Sequence, residues 1–163
     1  MSKVGIIMGS ISDLDVVKPA IDILKEFGVE VDARVISAHR TPDLAHEYAS
    51  KAMDNGIDVI ICAAGKAAHL GGVIAAFTPL PVIGLPVKSS TMDGMDSLLS
   101  MVQMPGGIPV ACVAINGGLN AGLLAVQILS IKDSALMQKM IEYKSNLANK
   151  ISKDDQKLQE LLK

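Results

Sequence analysis

Six consecutive residues, Ser37-Ala38-His39-Arg40-Thr41-Pro42, put a hydroxyl, an imidazole and a guanidinium side by side. A plain connection between two elements needs none of these groups. Imidazole is the side chain that ordinarily gives and takes a proton near neutrality. The planar donor fork of Arg40 suits a phosphate, and the hydroxyls of Ser10, Ser12 and Ser37 supply further donors. The combination points to proton transfer beside an anion. Asp13 would repel a phosphate, so its functional partner is a sugar hydroxyl; its structural alternative is to cap the first helix. His69 is either a second proton carrier or a first-turn helical residue. From pattern alone the ligand is sugar-like and phosphorylated, and the chemistry is acid–base.

Other chemistries find less support. Gly65-Lys66 lacks the earlier glycine and the following Ser or Thr of a phosphate-binding P-loop. Gly117-Gly118-Leu119-Asn120-Ala121-Gly122 departs from the dinucleotide fingerprint and does not follow the first strand. Neither ATP nor a nicotinamide cofactor is indicated. His39, His46 and His69 have no zinc-ligand spacing, so no metal is expected, and His46 falls on the exposed side of its helix. Cys62 and Cys112 lie inside apolar runs and read as buried, reduced strand residues.

Those loops must be carried by a core. In 163 residues with 50% apolar content, one domain burying about 70% of its unfolded surface is expected. A formal charge of −2 gives no general attraction to nucleic acid or acidic membranes. Two Phe, two Tyr and no Trp leave few rings on which bases could stack. No run reaches the ~18 apolar residues of a membrane helix. Met1-Ser2-Lys3 enters an apolar run directly, without the regions of a secretory leader, and the expectation is a soluble, cytoplasmic protein.

Short apolar runs predict strands at 4–8, 57–63, 81–87 and 108–115. At 29–35 the apolar residues alternate with Glu30, Asp32 and Arg34, which predicts a half-exposed strand at a sheet edge. Helical spacing predicts a helix from Asp15 to Phe27, closed by Gly28. A second opens at Thr41-Pro42-Asp43 with a hydroxyl cap, buries a stripe of Leu44, Tyr48, Ala52 and Met53, and ends at Asn55-Gly56. Further helices are expected from His69 to about Phe77, at 96–104 and at 117–131. Such alternation predicts an α/β fold with a parallel, doubly wound sheet. Ligands then bind beyond the carboxyl ends of the strands, where the loops 9–13, 37–41 and 64–69 would meet. One domain spanning 1–163 is expected, with sheet and helices in 1–131 and a helical tail in 132–163. The tail's stripe (Met137, Met140, Ile141, Leu147, Ile151, Leu158, Leu161) either packs on its own domain or forms a subunit contact.

Several stretches resemble the PurE family of purine biosynthesis, in particular its N5-carboxyaminoimidazole ribonucleotide mutases. They are Met8-Gly9-Ser10-Ile11-Ser12-Asp13, Ser37-Ala38-His39-Arg40-Thr41-Pro42, Ala67-Ala68-His69-Leu70, the run 96–105 and Asn120-Ala121-Gly122-Leu123-Leu124-Ala125. Their order and spacing reach to about residue 130 and are together highly specific. The resemblance implies a flavodoxin-like three-layer sandwich and a carboxylate transfer from the exocyclic nitrogen to carbon 4 of an imidazole, with no metal or cofactor. It implies a ribonucleotide monophosphate as ligand and a homo-octamer in which neighbouring subunits complete the sites. By motif, His39 is the general acid–base. Ser10, Ser12, Ser37 and Arg40 hold the phosphate, Asp13 the ribose, and Gly65, Ala68 and His69 line the carboxylate or carbon dioxide pocket.

Two positions depart from the mutase pattern: Lys66 stands where glycine is usual and Gly71 where proline is. The related class that carboxylates aminoimidazole ribonucleotide with free carbon dioxide often has a basic residue after this glycine. That class also has lysine after the central histidine and lacks Ala-Ala-His-Leu, so Arg40 and His69 favour the mutase. Direct carboxylation stays as the enzymatic alternative, and a non-catalytic nucleotide-binding module as the alternative of another class.

Overall fold

A computed structural model describes residues 2–162; Met1 and Lys163, the ends of the expected domain, lie outside the described residues. Five strands, β1 (Lys3–Met8), β2 (Glu30–Val35), β3 (Val59–Gly65), β4 (Val82–Val87) and β5 (Ala111–Cys112), pair in parallel in the order β2-β1-β3-β4-β5. Among the described residues six α-helices accompany them: α1 (Leu14–Glu26), α2 (Pro42–Lys51), α3 (Leu70–Phe77), α4 (Met95–Val102), α5 (Gly118–Ser130) and α6 (Ser134–Leu161). This is the doubly wound α/β sheet expected from the sequence.

The two-residue period of a strand sorts the core into two layers. Val4, Ile6 and Met8 of β1, with Val59, Ile61 and Ala63 of β3, face α1, α5 and the start of α6. Ile7, Ile60, Cys62 and Ala64 point the other way, toward α2, α3 and Met101 of α4. Both faces are therefore dry, which is why β1, β3 and β4 read as unbroken apolar runs. Burial pushes the Cys62 thiol well above its ordinary pKa, which suits an inert core residue.

β2 is the edge strand that its alternation predicted, with Val35 at 52% exposure. Two expectations need correction. The fifth strand pairs only at Ala111–Cys112, because Pro109 offers no donor to the ladder and the chain beyond Cys112 makes scattered bonds instead. Val113 N–H donates to Gly84 O and Asn116 N–H to Pro86 O. The buried face of α2 is Ala45, Ala49 and Ala52, whereas Leu44 and Met53 are 51% and 56% exposed. Small residues let this helix lie close to α3, with Leu44 and Met53 turned outward and Tyr48 reaching in toward Gly5 of the sheet.

The tail is one helix, α6, of 28 residues and so about 42 Å long. Asp133 Oδ1 accepts hydrogen bonds from the N–H groups of Ala135 (2.9 Å) and Leu136 (3.1 Å), capping its start. Leu136 and Met140 are buried, and Tyr143 packs on Phe27 with ring centroids 5.8 Å apart. Lys139 Nζ donates to Phe27 O at 2.9 Å, satisfying a carbonyl at the end of α1. Beyond this docked segment the apolar side chains are bare: Leu147, Ile151 and Leu161 are 50%, 68% and 83% exposed. Among the described residues, no helix is long and apolar enough to cross a membrane.

Candidate active site

The strand order reverses direction at β1: the chain goes from β1 outward to β2, then returns past β1 to β3. At such a switch point the loops diverge and leave a crevice. Parallel pairing brings Met8 beside both Val35 and Ala63, so the loops after β1, β2 and β3 leave the sheet at one level. Gly9 N–H donates to Ala63 O (3.1 Å) and Ile36 N–H to Met8 O (3.0 Å), carrying this alignment into the loops. The cavity they enclose has a volume of about 680 Å³.

A tight turn forms the β2 side. Thr41 N–H donates to Ser37 O at 2.8 Å, and Ser37 Oγ accepts from Arg40 N–H (3.2 Å) and Arg40 Nε (3.3 Å). A second nitrogen of the guanidinium is held too, because Arg40 Nη2 donates to Gly9 O at 3.0 Å, which leaves Nη1 for a ligand. Arg40 is thus tied to two loops before any ligand arrives. Ser37 accepts both bonds and keeps its proton to donate. The predicted helix cap is corrected here: Thr41 Oγ1 bonds back to Ser37, donating to its carbonyl and accepting from its N–H at 3.0 Å each. The threonine stabilises the turn that carries His39, and Pro42 starts α2.

On the β1 side, Ser10 Oγ accepts from Ser12 N–H (3.3 Å) and Ser12 Oγ (2.9 Å), leaving its proton free to donate. Asp13 occupies the cap position of α1 but makes no side-chain cap bond, so its carboxylate is available to a ligand. Burial raises its pKa above the ordinary value, partly offset by a hydrogen bond from the Ser10 backbone.

On the β3 side the backbone turns sharply at Lys66, whose φ of 56° lies in the left-handed region. Ala68 N–H donates to Lys66 O at 2.8 Å and His69 N–H to Ala67 O at 2.9 Å, which winds the chain into α3. His69 projects from this turn across the end of β1. Its Nδ1 stands 3.0 Å from His39 Nε2, with the rings edge-to-face at 77°. Such a contact carries one proton between the facing nitrogens, one acting as donor and the other as acceptor.

Eight of the expected residues, Ser10, Ser12, Asp13, Ser37, His39, Arg40, Gly65 and His69, line this one cavity. Ala68 does not: it is 1% exposed and turned into the core beneath α3, and Ala67 takes its place in the wall. Sequence reading missed the fourth wall, Val87, Lys88 and Ser89, which follows β4. The polar run Lys88-Ser89-Ser90-Thr91 after an apolar strand was the available signal, by the same end-of-strand logic. Lys88 Nζ pairs with Asp93 at 2.6 Å, and Ser89 Oγ lies 3.1 Å from both carboxylate oxygens of Asp96. His46 stays outside, stacked edge-on against Phe77. Among the described residues no cluster of three or more His, Cys, Asp or Glu is placed to hold a metal ion.

This arrangement can hold an anion at one end and move a proton at its centre, and the chain is similar to known proteins over nearly its whole length. The N5-carboxyaminoimidazole ribonucleotide mutase of Thermotoga maritima is 54% identical over 161 residues, covering 99% of this chain and 94% of that protein. The chloroplastic phosphoribosylaminoimidazole carboxylase of Vigna aconitifolia is 51% identical over 155 residues, 95% of this chain but 28% of that protein. The crystal structure of Treponema denticola PurE superposes with a TM-score of 0.87 at 32% identity, covering 97% of this chain and 99% of that one. With the family model described as AIR carboxylase matching residues 3–150, the chain belongs to the AIR carboxylase family.

Proposed function

We propose that the protein is an isomerase of purine biosynthesis that converts N5-carboxyaminoimidazole ribonucleotide to 4-carboxy-5-aminoimidazole ribonucleotide. The observation that carries this reading is the His39–His69 pair, 3.0 Å apart and standing between the Arg40–serine corner and the turn after β3. Arg40, Ser10, Ser12 and Ser37 hold the phosphate, and Asp13 accepts a hydrogen bond from a ribose hydroxyl. The imidazole of the ligand then lies against His39, with the carboxylate toward Gly65 and His69.

The carboxyl–nitrogen bond breaks, its electron pair stays on the nitrogen, and His39 supplies the proton that makes the amine. Carbon dioxide remains in the cavity, where Ala64, Leu70 and Val87, each at most 8% exposed, form an apolar wall. Carbon 4 attacks it, the new carbon–carbon bond forms, and the proton on carbon 4 returns to His39. No proton or electron is gained overall, so no cofactor is needed. The reading includes a homo-octamer and a cytoplasmic location; the bare apolar side chains of α6 support the assembly.

The test is incubation with the N5-carboxylated ribonucleotide without added bicarbonate. The 4-carboxylate should form, and His39→Asn should slow its formation by about 10²–10⁴-fold while the protein stays folded. Product no faster than the spontaneous background would end the reading. Lys66 in the cavity wall favours one other reading, direct carboxylation of aminoimidazole ribonucleotide. Turnover of that nucleotide at modest bicarbonate would support it, and a need for very high bicarbonate would exclude it.

A further inference from the structure

We infer that Lys66 is the carboxylate-binding charge of this site, and that its ammonium sets the preference for carboxylated over uncarboxylated ribonucleotide. The inference rests on the function proposed above. Lysine is an unfavourable choice where it stands. Its φ of 56° lies in the region that glycine occupies at no steric cost, and a Cβ there strains the backbone. The strained position is at the carboxyl end of β3, in the cavity wall, three residues before His69. Strain of this kind gathers where a side chain is needed.

The other cations of the cavity are committed elsewhere, Arg40 to the phosphate of the proposed ligand. Arg40 is tied to Gly9 O and Ser37 Oγ, and Lys88 is paired with Asp93. Lys66 forms no ion pair among the described residues. Position separates the charges as well. Arg40 follows β2 and Lys66 follows β3, with β1 between them, so the two loops start about 10 Å apart across two strand spacings. The His39–His69 contact bridges that gap. A ligand with phosphate on Arg40 and its imidazole at His39 therefore presents the far, carboxylated edge to Lys66. Lys66 is exposed in the cavity wall, so its ammonium is reachable by that carboxylate.

The experiment is calorimetric titration of the full chain with 4-carboxy-5-aminoimidazole ribonucleotide and, separately, with 5-aminoimidazole ribonucleotide. Lys66→Met keeps the side-chain length and removes the charge. It should weaken the carboxylated ligand about tenfold and the uncarboxylated one by less than about twofold. Lys66→Arg should restore the preference. Lys66→Gly removes the charge without backbone strain and should repeat the methionine result, so a poorly folded Lys66→Met does not end the test. Equal losses for both ligands, or none for either, overturn the assignment. If those results came with normal turnover by the unmodified protein, only the role of Lys66 would fall. An unmodified protein that binds neither nucleotide and turns over nothing would take the function, and this assignment with it.

Discussion

Asp13 illustrates how a site residue trades stability for binding. Burial holds its carboxyl above the ordinary pKa, so the folded protein keeps that proton more tightly than the unfolded chain does. The stabilisation linked to Asp13 is then complete below the unfolded carboxylate pKa and lost as pH rises through the raised folded value. At neutral pH the charged, half-buried carboxylate is a liability. Asp13→Asn should therefore melt at a higher temperature than the unmodified protein at neutral pH, with the gap closing as pH falls into the carboxylate range. Thermal melts across that range check the sign, and a gap independent of pH would refute it. Most of the site's residues were legible one by one, because hydroxyls, imidazole and guanidinium beside strand ends have few structural uses. Ala68 was misplaced, because sequence adjacency to His69 does not say which way a turn aims each Cβ.

Among the elements, the closest fit is between α1 and α5. A Cβ at Gly118 would run into the carbonyl oxygen of Val16, and one at Gly122 would meet Ile23 and lie 3.0 Å from Ala20 O. Backbone cannot rotate away as a side chain can. Gly118→Ala should thus destabilise the fold by about 1–3 kcal/mol through overpacking, read as a lower urea midpoint. An unchanged midpoint would mean that the two helices separate without cost. Helix periodicity revealed that α1, α2 and α5 exist, but of the stripe expected for α2 only Ala52 is fully buried and Tyr48 half-buried, while Leu44 and Met53 turn outward. Tyr48 shows why. Burial raises its phenol's pKa with Asp32 adding to the effect, and its hydroxyl rests against Gly5, while alanines fill the true contact face. Apolar character and closest approach are different properties, and only the second decides which face packs.

At the scale of the molecule, α6 stands out because it is docked for its first turns and bare afterwards. An isoleucine moved from water into an interface contributes about 1.5–3 kcal/mol. On the proposed octamer, Ile151→Asp or Ile141→Asp should lower the mass read by light scattering while helical circular dichroism is retained. These positions are 68% and 55% exposed in the single chain, so a folding defect is not the expected outcome. An unchanged mass would separate α6 from assembly. The sequence offered two readings of this helix; the structure supports packing on its own domain over Leu136, Lys139 and Met140, and leaves the later stripe uncovered.

Local periodicity and side-chain chemistry were enough for most of the elements, the parallel two-sided sheet and the chemical character of the loops. It took the folded chain to show that His39 meets His69 across the end of β1, that Arg40 is braced by Gly9, and that Lys88 and Ser89 close a fourth wall. Those contacts join residues 30 or more positions apart in the chain, and they exist because the strand order places β1 between β2 and β3. Strand order is a property of how the layers pack, and no single stretch of the sequence encodes it.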